Sequence, residues 1–431
     1  MAVSPRAPTS EGQSRFAPAV AAGAGRADVE IPLEVESHTP DASAAAVAHL
    51  PGIRLPTAFR ALMVGERVVA WRTIAYWWLA SRACVFATVI VVQYVRWPRE
   101  SWYPSLAERP LALLTAWDGR WYRMVADRGY LVIPGHQSDT AFFPFFPMLL
   151  RVGRVLGLSF NASGLLLANA CFLAGLIVLY ELNRQWLDDA AAKRASIYLG
   201  VFPMGYVFSM VYPEGVVLAM IALAGLLATK GRWRGAAVAA AIAALTRPEV
   251  FLLVVPLAAL AGRAWRASEL RTRAHALTAV LAAPAALAGM CLYHWRTFGD
   301  PLAFSSAQRA WGRHVSADGL YRAVVELIHS PATNNLWLIR DAAFCVLYLV
   351  LLLVALRAGV PRSWVAASAL VVVLPLWSGS FTSEGRFGLL ALPVFSGLAS
   401  ITGRRSFDLT LRSVSLVLLV AATATILLRW P

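Results

Sequence analysis

The sequence predicts an all-α polytopic membrane protein, with about eleven spans and two long loops on the outer face. Three observations carry that expectation. Hydrophobic residues make up 58% of the 431-residue chain and charged residues only 15%, against about a quarter in a soluble domain. Long apolar runs such as "VSLVLLVAATATILL" and "DAAFCVLYLVLLLVAL" suit spanning helices, and the mean hydropathy is +0.60. Arginine collects in alternate short loops between those runs. Nothing resembles the short alternating strands of an outer-membrane barrel.

Residues 1–55 are rich in Ala, Pro, Gly and Ser and lack a long apolar run. They read as a disordered cytoplasmic tail, and the membrane domain follows over 56–431. A span needs roughly 20 apolar residues. The first falls at 73–95. A long segment, 96–160, comes next. Its prolines and aromatics, as in "AFFPFFPMLLRVGRVLG", suit interfacial helices better than a clean span. Further spans are expected at 162–182, 195–211, 215–229, 235–246, 250–262 and 277–295. A second long segment, 296–340, is polar and aromatic. Four more spans start near Ala342, Val365, Phe387 and Val414.

The net charge of +15 raises the question of nucleic acid, and the placement of the charge answers it. One set of short loops holds Arg184, Lys193, Arg194, Lys230, Arg232, Arg234, Arg263, Arg266, Arg271, Arg273, Arg357, Arg362, Arg404, Arg405 and Arg412. The alternate set holds only Arg247 and Arg386. The positive-inside rule explains that asymmetry without a nucleic-acid partner. It puts the first set and the N-terminus in the cytoplasm and both long segments outside. Lysine occurs only at Lys193 and Lys230 while alanine and arginine abound, a bias that points to a GC-rich bacterial genome. The expected location is a bacterial plasma membrane, with membrane lipids as neighbours. Arg120, Arg123, Arg128, Arg309 and Arg313 lie in the outer segments against the trend. Either they serve an anionic ligand there or they are ordinary solvated loop charge.

Cys84, Cys171, Cys291 and Cys345 fall in apolar runs without metal-type spacing and read as small buried hydrophobes. His136, His294 and His314 are not spaced as a metal site. No Walker A loop, HExxH, GxSxG or outer-face DxD occurs.

The stretch "TAWDGRWYRMVADRGY" sets one acid, Asp118, among Trp117, Trp121 and Tyr122. On a helix Asp118, Trp121 and Tyr122 share a face. An aromatic belt at the interface accounts for the rings but not for an acid among them. A carboxyl buried against rings is a candidate general base. Other ionisable groups at span ends are Glu214 in "MVYPEGV", Arg247 and Glu249 in "LTRPEV", and Glu384 and Arg386 in "SGSFTSEGRFGLL". Such groups are costly unless they face a cavity or a partner. Function is favoured for Glu214 and Arg386. Local pairing, Arg247–Glu249 and Glu384–Arg386, is favoured for Glu249 and Glu384. In "FGDPLAFSSAQRAWGRH", Arg309 and Trp311 could bind phosphate and sugar, because Arg forks onto phosphate and Trp stacks on sugar faces.

Taken in order, "WDGRWYRMVADRGY", "AFFPFFPMLLR", "VYPEGVVLAMIALAG", "GRWRGAAVAAAIAALTRPEV", "GDPLAFSSAQRAWGR" and "GRFGLLALPVFSGLA" resemble the PIG-V-like mannosyltransferases, a branch of the GT-C glycosyltransferases. The resemblance spans about residues 80–402. It implies a GT-C-like bundle that takes a sugar, usually mannose, from a polyprenyl-phosphate donor on the outer face. It implies Asp118 as the catalytic acid of the first outer loop, Glu214 as the acid after a tyrosine, and Arg386 as the arginine before a late span. Phe387 stands where the family often has tyrosine, and the lead "TSEG" departs from its usual pattern. The acceptor is expected to be a glycolipid or cell-envelope glycan.

The chemistry is consistent with that resemblance. A phosphate leaving group needs cations rather than a general acid, so one base plus arginines suffices, with inversion at the sugar. The expected substrate-binding set is Trp117, Trp121, Tyr122, Glu214, Arg247, Arg309, Trp311 and Arg386, with Asp118 catalytic and no metal or other cofactor. A lipid-linked-sugar flippase and a non-catalytic subunit of an envelope assembly complex are the alternatives. A flippase needs a polar path through the spans, whereas here the polar residues gather at one face. The orientation has a direct test. An impermeant thiol reagent should label cysteines placed at Ser138 and Ser316 in intact cells. Labelling only after the cytoplasmic side is opened would reverse the topology.

Overall fold

The computed structural model describes residues 66–96, 109–132, 136–330 and 332–428. The expected tail over 1–55 lies outside them. Among the described residues every regular element is a helix. In chain order these are α1 (Glu66–Arg96), α2 (Arg109–Ala112), α3 (Asp118–Arg128), α4 (Phe145–Val155), α5 (Phe160–Asn183), α6 (Asp189–Val201), α7 (Glu214–Thr229), α8 (Trp233–Ala244) and α9 (Val254–Trp265). There follow α10 (Leu270–Phe298), α11 (Ala303–Ser306), α12 (Gly319–His329), α13 (Ala332–Arg357), α14 (Arg362–Val373), α15 (Glu384–Phe387), α16 (Pro393–Ser400) and α17 (Arg405–Leu428).

Six stretches among the described residues are long and apolar enough to cross a membrane: 67–95, 160–183, 248–265, 270–298, 336–357 and 405–428. A seventh counts if the bent pair Pro203–Ser209 and Glu214–Thr229 is taken as one span. The expectation of about eleven rested also on shorter apolar runs. These form short or broken helices. The run at 195–211 ends its α-helix at Val201 and becomes a 3-10 turn over Pro203–Ser209, because Pro203 has no N–H to continue the ladder. The run from Phe387 divides into the four-residue α15, a 3-10 turn at Gly388–Leu390 and the eight-residue α16. The long segments hold α2, α3 and α4, and α11 and α12, all of 11 residues or fewer. Ser138 is buried, so Gln137, exposed beside it, is the better labelling position; in the second segment that position is exposed Ala317.

The core runs through α5, α6, α7 and α16. α5 packs along α7, and the contact is close because the second residue of α7, Gly215, has no side chain. A Cβ there would lie 2.5 Å from the carbonyl oxygen of Ala168. The 99° bend between Pro203–Ser209 and α7 leaves backbone carbonyls without helical partners. Arg82 of α1 meets this need. Its Nη1 donates to the Gly205 carbonyl at 2.8 Å and to Ser209 Oγ at 3.0 Å, and its Nη2 donates to the Gly200 carbonyl at 3.2 Å. Ser209 Oγ in turn donates to Asn169 Oδ1 at 2.9 Å. The guanidinium lies over the Phe172 ring, which stacks on Phe208 with centroids 4.0 Å apart. A buried arginine thus holds the bend whose far side presents Tyr212 and Glu214.

Candidate active site

Three carboxylates begin three helical elements and meet in one place. Asp118 opens α3, Glu214 opens α7, and Glu249 lies in the first turn of the 3-10 helix Pro248–Leu253. The positive end of a helix favours an acid at each position. Together the acids would repel, and two arginines lie between them. Arg386 Nη1 donates to Asp118 Oδ2 at 2.6 Å, and its Nε lies 3.3 Å from Glu214 Oε1 without the alignment of a hydrogen bond. Arg247 Nη1 donates to the same Glu214 oxygen at 2.7 Å, and its Nε lies 2.5 Å from Glu249 Oε1. The result is one alternating chain, Asp118–Arg386–Glu214–Arg247–Glu249. Glu214, at 1% side-chain exposure, is its buried centre, and both ends are more open, Asp118 at 30% and Glu249 at 24%.

Backbone contacts between remote segments hold the chain in register. The N–H of Val211 donates to the Leu114 carbonyl at 2.9 Å, which ties the approach to Glu214 to the approach to Asp118. The N–H of Phe145 donates to the Leu245 carbonyl at 3.1 Å, beside the turn that carries Arg247. Trp117 (φ 51°) and Ser383 (φ 76°) are the only non-glycine residues at positive φ among the described residues. Each precedes a helix that carries a member of the chain, and each conformation costs on the order of 1–3 kcal/mol. Strain of this kind persists where the surroundings over-determine the backbone.

Aromatic rings wall the Asp118 end. Trp121 stacks on Phe142 with centroids 5.8 Å apart and meets Trp311 edge-on at 5.5 Å. Tyr122 meets Phe142 and Phe146 edge-on, each at 5.1 Å. Burial pushes the Tyr122 hydroxyl well above its usual range, and the Arg247 charge opposes that shift. Arg386 lies over Tyr212 (5.2 Å) and over Phe387 (5.3 Å), and Arg247 over Phe387 (5.2 Å). Phe387 therefore offers a ring face to both guanidiniums.

The structure brings Asp118, Glu214, Arg247 and Arg386 into direct contact and sets Trp121, Tyr122 and Trp311 in the adjoining wall. Arg309 is exposed and interacts with Asp300. Three expectations need correction. Asp118 is not an acid among rings alone, since Arg386 pairs with it. The Arg247–Glu249 pair forms, but Arg247 also serves Glu214. The Glu384–Arg386 pair does not form: Glu384 is fully buried and neither carboxyl oxygen has a hydrogen-bond partner. Its neighbour Asp341 is held by Arg340 at 2.8 Å and accepts the Ser383 N–H at 2.7 Å. Sequence reasoning also passed over Tyr212, and it left Arg313, with the other outer arginines, between an anionic-ligand role and solvated loop charge. Arg313 donates to the Thr382 carbonyl at 2.8 Å and lies over Phe387 at 5.9 Å. Among the described residues, no three His, Cys, Asp or Glu side chains converge as metal ligands.

Burial pushes the Glu384 carboxyl up to about 9, with Asp341 adding to the shift and Arg313 opposing it. The folded protein therefore keeps this group protonated at neutral pH. Unfolded, it titrates near 4.5. Its contribution to stability is whole below about 4.5, declines as the pH rises towards about 9, and then levels off. Glu384→Gln removes that dependence. Relative to the parent protein, its thermal midpoint should rise more at pH 9 than at pH 5. An equal shift at both pH values would mean that Glu384 is not the group responsible.

No protein-family model matches the chain, and no curated protein sequence matches it. Among solved structures it is loosely similar to the archaeal oligosaccharyltransferase AglB from Archaeoglobus fulgidus. With the AglB complex containing an inhibitory peptide and a dolichol-phosphate, the TM-score is 0.41 and the identity 13%, over 82% of this chain and 55% of that one. With the apo form the TM-score is 0.40 and the identity 13%, over 81% and 56%. With the form tethered to an acceptor peptide they are 0.40 and 14%, over 81% and 55%. The chain thus spans about half the length of these structures, and no residue role is taken from so distant a likeness.

Proposed function

We propose that the chain is an inverting membrane glycosyltransferase. It moves a sugar, mannose by the sequence resemblance, from a polyprenyl phosphate to a lipid-linked or cell-envelope glycan acceptor on the outer face of a bacterial plasma membrane. The observation that carries this reading is the charge chain itself. At one end of it Asp118, a carboxylate anchored by Arg386, is 30% exposed and bordered by an aromatic wall, a setting that Glu249 at the other end, 24% exposed, is not shown to share.

In this reading Arg386 holds Oδ2 and fixes the carboxylate's orientation, which leaves Oδ1 to meet the acceptor. As the acceptor oxygen bonds to the anomeric carbon, its proton passes to Asp118. The bond from that carbon to the donor phosphate breaks, and the electron pair leaves with the phosphate. Attack from the face opposite the phosphate inverts the centre. The leaving group is a phosphate that arginines can hold, so the step as proposed requires neither a general acid nor a metal. Trp121 and Trp311 offer ring faces for a sugar, Tyr122 backs them from the core, and Trp117 sets the backbone that aims Asp118.

Asp118→Asn keeps the size of the side chain and removes the base. Purified protein supplied with labelled polyprenyl-phosphate mannose and native lipid extract should form a labelled product that survives prior chelation of divalent ions. The variant should fall by at least the roughly 10²-fold expected for loss of a general base, with expression retained. Turnover of the folded variant at the parent rate would reduce Asp118 to a polar member of an aromatic belt. Loss of activity on chelation, restored by a divalent cation, would contradict the arginine account of the leaving group.

A further inference from the structure

The charge chain leaves a question about the donor. Arg386 is shared by Asp118 and Glu214, and Arg247 by Glu214 and Glu249. Neither can turn to an incoming phosphate without uncovering a carboxylate that is buried or positioned for catalysis. Removing one partner of a buried pair costs roughly 3–5 kcal/mol. The cation that meets the donor must come from elsewhere.

Arg313 meets that requirement. It lies close enough to Arg386, Asp118 and Glu326 to feel their charges, yet among the described residues it forms no ion pair. Its polar contacts are the neutral Thr382 carbonyl and, at 3.5 Å, Ser383 Oγ. Its neighbour Glu384 is held protonated and so offers it no counter-charge at neutral pH. Burial, and then repulsion from Arg386, push the Arg313 guanidinium below its usual range. An arriving anion would relieve both effects.

The position is built rather than incidental. Gly312 at φ 72° turns the chain out of the 3-10 helix Ala307–Trp311. The N–H groups of His314 and Ser316 then donate to the carbonyls of Ser378 and Trp377, each at 3.3 Å, and so stitch this segment to the approach to α15. Arg322 of α12 donates to the His314 carbonyl at 2.8 Å and to Ser316 Oγ at 2.6 Å. Tyr321, Val324 and Ile328 lie exposed at helical spacing on α12, and Val315 is exposed just before it. An unpaired cation and an exposed apolar face are therefore held in one unit. That combination suits an amphiphile with an anionic head and a hydrocarbon tail.

We infer that Arg313 receives the phosphate of the lipid-linked donor, with the tail lying along the Tyr321–Val324–Ile328 face, while Arg386 stays with the carboxylates. The inference rests on the glycosyl-transfer reading above and gives the phosphate to Arg313 rather than to Arg386, a member of the expected substrate-binding set. The test uses the full chain in lipid nanodiscs, with polyprenyl phosphate and uncharged polyprenol as probes. The parent protein should bind polyprenyl phosphate more tightly than polyprenol. Arg313→Gln should weaken polyprenyl phosphate about tenfold, the effect of losing one charge-assisted contact, and leave polyprenol unchanged.

Equal affinity of parent and Arg313→Gln for polyprenyl phosphate would overturn the inference alone. Equal weakening of both probes would also overturn it, by showing a structural role. Failure of the parent to prefer polyprenyl phosphate over polyprenol would overturn the glycosyl-transfer reading together with the inference. A second measurement needs no variant: mass-mapped modification of the parent by an arginine-specific dicarbonyl. Polyprenyl phosphate should protect Arg313 and polyprenol should not. Protection of Arg386 with Arg313 still reactive would return the phosphate to Arg386.

Discussion

The site depends on the sharing of Glu214 between two arginines. Its carboxylate is almost wholly buried at the start of α7, and one oxygen faces both Arg386 and Arg247. A single buried carboxylate could not hold two guanidiniums alone. Asp118 and Glu249 complete the compensation from either side. Four parts of the chain that lie far apart in sequence must converge for this alternation to exist. Removing an inner member leaves its neighbours with one partner fewer, and removing an arginine takes the ion pair from Asp118 or Glu249; breaking a buried pair costs roughly 3–5 kcal/mol. The ion pairs therefore specify an arrangement more than they stabilise it.

The surrounding backbone is shaped to that end. The bend at 210–213 delivers Glu214 as the first residue of α7, and Arg82 satisfies the carbonyls on its other side. Trp117 and Ser383 hold positive φ just before α3 and α15. Asp341 accepts the Ser383 N–H, so the second strained residue is tied to α13 through a carboxylate. The strained residues and the broken span thus lie next to the ionisable groups, where they set direction instead of adding stability.

Much of this was legible in the sequence because ionisable groups at span ends are expensive. That principle drew attention to Glu214, Arg247 and Arg386, the aromatic neighbours drew attention to Asp118, and all four lie in one chain of contacts. The long spans were legible from apolar runs; the short ones were not, because Pro203 and the prolines and glycines near α15 and α16 break runs that hydropathy alone treats as continuous. The expected Glu384–Arg386 pair failed for a local reason. Both residues lie on α15, and side chains two apart on a helix do not face each other. Arg247 and Glu249 are also two apart, but Arg247 has extended backbone (φ −149°, ψ 134°) just outside its helix, so that pair can close. Choosing Arg313 over Arg309 required the Gly312 turn and the stitching to residues 377–378, which are long-range features. The buried, unpaired state of Glu384 was equally hidden, since it depends on α13 covering α15.

The most direct test of the central claim, that Arg386 stays with the carboxylates when polyprenyl phosphate is bound, is an experimental structure of the full chain in that complex. The account predicts that Arg386 Nη1 remains on Asp118 Oδ2, at a separation close to 2.6 Å, with the phosphate on Arg313. If Arg386 has instead left Asp118 for the phosphate, so that Asp118 stands without its arginine, the shared-carboxylate account of the site is contradicted.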